Sequence, residues 1–80
     1  MRTYVTFGQD HIHKIGGKTF NKDCVAVIES DSATEGRAKA FELFGDKFCF
    51  EYPEKNFDKE KMMKYFPRGL ISVEGDEVRL

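Results

Sequence analysis

The 80-residue sequence has no tryptophan, only two cysteines, and no apolar run longer than "CVAVI" at residues 24–28. Each shortage excludes something. A run of that length falls far short of the ~20 apolar residues that cross a bilayer. The opening "MRTYVTFG" also lacks the shape of a signal peptide, so the chain is expected in the cytoplasm, with no membrane partner. Cys24 and Cys49 each sit in an apolar, strand-like run, where a thiol behaves as a small buried hydrophobe. Both are expected reduced, a bond between them being the weaker reading without a secretory signal. Charge of one sign is missing as well. With 13 basic and 14 acidic residues the net charge is -1, so no global field draws the chain to nucleic acid. No internal repeat, linker or low-complexity tract is present.

What remains describes one small folded body. Hydrophobic residues make up 40% and charged residues 34%, and eight Phe and three Tyr stand in for the absent Trp. Eighty residues form a single domain near the lower size limit for folding without metals or disulfides. "TYVTF" alternates as a half-buried strand, with Val5 and Phe7 on one face, and is expected to run on past Gly8 toward "HIHKI". Gly16 and Gly17 signal a hairpin returning through "KTF". "CVAVIES" predicts a central strand. In "DSATEGRAKAFELFG" the Ser32 and Glu35 spacing is a capping box, Ala38, Phe41 and Phe44 recur at helical spacing, and Gly45 is placed to end the helix.

"KFCFEY" predicts a second buried strand, favoured as a parallel neighbour of the first because a helix connects them. Asn56 is the expected cap of a second helix burying Met62, Met63, Tyr65 and Phe66 and stopped by "PRG". "LISVEG" closes the sheet, and "DEVRL" is expected to pair briefly or fray. The order ββ-β-α-β-α-β is that of an α+β domain, a mixed four- to five-stranded sheet with two helices packed mainly on one face.

Motifs that resemble chemistry fail on spacing. The Gly-Gly-Lys-Thr run lacks the glycine a phosphate loop needs six positions before Lys18, where Ile12 stands, and it lies in a hairpin. His11 and His13 would share a strand face as a chelating half-site, but no motif supplies further ligands, so no metal is expected. A thiol with a histidine base is disfavoured by the expected burial of both cysteines. Glu51, Glu54, Asp58 and Glu60 lie in mixed charge runs of the kind that face solvent. No catalytic residue and no cofactor are therefore expected. Lys14, Lys18, Lys22, Lys59, Lys61, Lys64 and Arg68 would be the cations of a nucleic-acid interface, but acids are interleaved with them, so that reading is not favoured.

The strings "TFGQDHIHKIGGKTFNKDCVAVIE", "AFELFGDKFCFEYPE" and "YFPRGLISV" resemble small uncharacterised accessory proteins of tailed bacteriophages and prophages, over residues 3–73. That resemblance implies a non-enzymatic protein that binds and blocks a bacterial host protein or ribonucleoprotein complex, in the manner of anti-CRISPR and other defence inhibitors. It transfers no functional residue. From the residues themselves, the expected contacts are the hairpin, through His11, His13, Lys14 and Lys18, and the corner at Arg68, because these polar groups are rigidly placed and not needed in a core. A small-ligand or nucleotide-signal binder using the Gly-Gly turn and Lys18, with a homodimer interface, is the alternative.

Overall fold

Four strands of the computed structural model, which describes residues 1–73, form one mixed sheet, and two more form a separate hairpin. The chain runs β1 (Arg2–Thr6), β2 (His13–Ile15), β3 (Lys18–Phe20), β4 (Cys24–Glu29), α1 (Ala33–Phe44), β5 (Phe50–Pro53), α2 (Lys59–Met62) and β6 (Gly69–Ser72). The sheet order is β5-β1-β4-β6, with β1 antiparallel to β4 and β5, and β4 parallel to β6. The fold is the α+β class expected from the element order.

The two most apolar strands take the centre. Residues 24–28 of β4 are all buried, as an unbroken apolar run between two covered faces requires. One face packs Val5, Phe7, Cys24, Ala26 and Ile28 against Phe20, Ala40 and Phe44. The other packs Tyr4, Val25, Val27 and Leu70 against Phe57, with Met62, Met63 and Phe66 at its border. The two helical segments therefore lie on opposite faces instead of mainly on one, because β1 and β4 carry large apolar side chains at odd and even positions alike and both sides need cover.

Local signals were accurate where backbone chemistry set them. Gly16 and Gly17 have φ of 58° and 79°, the pair of positive angles a two-residue hairpin turn demands. Ser32 Oγ accepts the Glu35 N–H at 3.1 Å, and the Gly45 N–H reaches Phe41 O at 2.8 Å with φ at 63°. The buried stripe of α1, however, is Gly36, Ala40 and Phe44, and Ala38 and Phe41 face outward. Strand one does not run on into the hairpin, since a turn over residues 8–10 separates them.

Four further expectations are corrected. β5 runs in the direction of β4 but is not its neighbour, because α1 carries the chain across β1 and delivers it to the far edge. β5 is an edge strand with an exposed Phe50, not a buried one. Asp58, not Asn56, caps α2, its Oδ1 accepting the Lys61 N–H at 3.2 Å, while Asn56 closes a preceding 3-10 turn. That helix is a single turn continued by a 3-10 turn over Met63–Tyr65, which leaves Tyr65 exposed. The pairing or fraying expected of "DEVRL", and the end of "LISVEG", lie outside the described residues.

Candidate functional site

The segment from α2 through Phe66 is too short to roof the whole second face. It covers Tyr4, Val25, Val27 and Leu70 and stops. The register of β1 with β5 sets Tyr4 beside Tyr52 and Thr6 beside Phe50, so Phe50 and Tyr52 project from this same face. The uncovered end is a groove of about 490 Å³. Thr6 and Gly8 lie along the β1 end of it, Phe50, Tyr52 and Cys49 on one side, Met62, Tyr65 and Phe66 on the other, and Gln9, Lys22 and Asp23 at the rim. An aromatic ladder leads into it from the core: Tyr4 stacks on Phe57 at 4.2 Å, Phe57 meets Tyr52 at 5.7 Å, and Tyr52 meets Phe50 at 6.0 Å. Phe50 is 57% and Tyr65 67% exposed.

Arg68 builds the rim from behind. Its guanidinium donates to Thr19 O at 2.7 Å and Asn21 Oδ1 at 3.3 Å, and its N–H donates to Asp23 O at 2.8 Å. Asn21 Oδ1 also accepts the Asp23 N–H at 3.0 Å. The tight turn at residues 21–23 is thus held by the corner at Arg68, and it presents Lys22 and Asp23 to the groove. Among the described residues neither the Lys22 ammonium nor the Asp23 carboxylate has a hydrogen bond or ion pair.

Of the five residues expected as contacts, Arg68 sits against the hairpin through Thr19 O, next to Lys18 and opposite Lys14 in the β2–β3 register. His13 is half-buried, its ring against Phe44 at 5.0 Å and Phe7 at 5.7 Å, with Nε2 2.6 Å from Lys47 O. Lys18 Nζ donates to Ser72 O at 2.8 Å, tying the hairpin to β6. Arg68 is exposed, but like these two it is engaged by hydrogen bonds within the molecule. Lys14 is exposed and His11 half-buried, and His11 lies outside β2, so the two histidines do not share a strand face.

The cysteines divide. Cys24 is buried, and burial pushes its thiol pKa up, more than the hydrogen bond its sulfur accepts from the Asn21 N–H pulls it down. The unfolded chain then loses this proton at a lower pH than the folded one. Stability is complete below the ordinary thiol range and falls as pH rises through it toward the folded pKa. Denaturation between pH 7 and pH 10 is expected to show this alkaline loss, and Cys24→Ala is expected to flatten it; an equal slope in the variant assigns the loss elsewhere.

Cys49 is exposed, contrary to expectation. Its N–H bonds Thr6 O at 2.8 Å, holding it beside Gly8, and it borders both the groove and a hollow of about 190 Å³ lined by Asp10 and His11. A thiol, an imidazole and a carboxylate therefore line one hollow, although no hydrogen bond joins them among the described residues. Within those residues, no three His, Cys, Asp or Glu side chains stand close enough to hold a metal.

The groove was missed by sequence reasoning because "KFCFEY" reads as core. The signal that marks it is Pro53, which suits an edge strand and not a central one. Comparison with known proteins returns no matching family model, no matching curated protein and no matching solved structure.

Proposed function

We propose that this chain is a non-enzymatic accessory protein of phage type that binds a bacterial host protein or ribonucleoprotein and blocks it by occlusion, as an anti-CRISPR-like inhibitor does. The observation that supports this reading is the pair of large aromatics, Phe50 and Tyr65, both more than half exposed and both lining one groove. Exposed aromatic patches with a polar rim mark interaction sites, and rigid aromatics carry a large share of interface energy. A specific complex needs about 800 Å² per partner, a modest share of the 5240 Å² this molecule exposes. Occlusion requires only surface, which agrees with a groove where Phe50 and Tyr65 stand largely outside the core.

The test is a Phe50→Ala/Tyr65→Ala variant, first checked for unchanged melting. Wild type incubated with bacterial lysate is expected to form a stoichiometric complex by size exclusion with light scattering. It is also expected to raise the plating efficiency of a phage targeted by host defence. The variant is expected to lose at least tenfold in affinity, the scale on which two aromatic anchors act. A complex and a protective effect that survive the double substitution unchanged would reject the groove as the contact surface. Absence of any complex or protection in wild type would reject the reading as a whole.

A further inference from the structure

We infer that the groove is also a ligand site for one aromatic α-amino acid in its zwitterionic form, the ring held between Phe50, Tyr52 and Tyr65, the carboxylate at Lys22 and the ammonium at Asp23. The inference shares the groove with the reading above but does not require a host partner.

Size, shape and charge each narrow the ligand. A volume of about 490 Å³ falls within the range of small-molecule sites. Flat aromatic side chains on both sides favour a planar ring, which they can meet by offset stacking or edge-to-face contact. The charged complement is one cation and one anion, adjacent in sequence on a turn that Arg68 and Asn21 hold in place, and neither side chain is bonded inside the described fold. A nucleotide would satisfy Lys22 but set its phosphate against Asp23. A simple aromatic acid would leave Asp23 unmatched, and an aromatic amine would leave Lys22 unmatched. An aromatic amino acid answers both charges and the aromatic walls together.

The protein has no tryptophan, so L-tryptophan itself is the probe, its fluorescence free of protein indole. Titration is expected to saturate at one ligand per chain. N-acetyl-L-tryptophan, lacking the ammonium, and L-tryptophanamide, lacking the carboxylate, are each expected to bind about tenfold more weakly, the effect of losing one charge-assisted contact. Lys22→Ala should abolish the preference for tryptophan over its amide, and Asp23→Asn the preference over its N-acetyl form.

Cys49 locates the ligand without any substitution. Its exposed thiol borders the groove, so alkylation by iodoacetamide should slow when tryptophan is bound, while buried Cys24 stays unlabelled. Equal affinity for all three compounds, no saturable binding, or an unprotected Cys49 would overturn the inference. A captured host partner without tryptophan binding would sink this inference alone. Tryptophan binding with no partner and no phage protection would sink the occlusion reading alone.

Discussion

Phe44→Ala is expected to lower the unfolding free energy by about 3–5 kcal/mol, the usual loss for truncating a buried aromatic. Phe44 ends α1 at 3% exposure and meets Phe7 edge-on at 4.9 Å, Phe20 at 5.8 Å and His13 at 5.0 Å. Those three partners come from the chain after β1, from β3 and from β2. One ring thus joins the helix to the sheet and docks the hairpin, a two-stranded piece that is not stable alone in water. Domains of this kind hold only about 5–15 kcal/mol in total, so the variant is expected near the edge of folding. Hydrogen exchange should show more: the amides of β2 and β3 are expected to lose protection before those of β4. Phe44→Leu should recover part of the loss. A change under about 1 kcal/mol, small for any buried aromatic, or a hairpin that stays protected, would show that Lys18 and Ser72 hold it instead.

Much of this arrangement was readable from residues whose backbone chemistry is local. Gly16 with Gly17, Ser32 with Glu35, and Gly45 each specify a turn or a cap through their own φ or their own hydrogen bond, and each stands where expected. "CVAVI" was readable because an unbroken β-branched run has few places to go other than a covered strand. What was not readable depends on tertiary layering. Period-2 alternation in "KFCFEY" is the same for an edge strand and a central one, so the exposure of Cys49 and Phe50 followed only once β1 was seen to separate β5 from β4. His13 and Lys18 are half-buried and Arg68 is exposed as expected, but the acceptors all three meet, Lys47 O, Ser72 O and Thr19 O, are backbone carbonyls that no side-chain pattern announces.

That displacement also changes the argument about chemistry. Burial of both thiols cannot stand as the reason against nucleophilic catalysis, since only Cys24 is inside. The proposal of a binding protein rests on the groove itself, whose aromatic rings and rim charges suit recognition. Cys49 serves there as a reporter at the edge of the surface.

Gly36→Ala is expected to lower the melting temperature by about 10 °C, taking a net loss of about 2 kcal/mol at 4–8 °C per kcal/mol for a domain of this size. The sign is not obvious, because alanine is the better helix former by about 1 kcal/mol. Position 36 is one of the three buried positions of α1 and lies directly over Thr3. A Cβ built there falls well inside contact with Thr3 Oγ1, and Thr3 Cβ and Ser30 Oγ stand only 3.0 Å away. Turning Thr3 aside does not clear the site. It is fully buried on an interior strand; one rotation of its side chain puts the methyl group where the hydroxyl was, and neither rotation moves its Cβ, which stays 3.0 Å away. Its Oγ1 has no hydrogen-bond partner among the described residues, so no bond compensates for the crowding. The helix must therefore lift from β1, and overpacking of this severity costs about 3 kcal/mol or more, which outweighs the gain in propensity. Thr3→Ala removes the obstructing hydroxyl and an unsatisfied polar atom together, so the Gly36→Ala/Thr3→Ala pair is expected to recover most of the lost stability. A double-mutant cycle by chemical denaturation should give a coupling of at least ~1 kcal/mol. If alanine at position 36 is neutral or stabilising with Thr3 in place, α1 does not approach β1 as closely as this glycine allows.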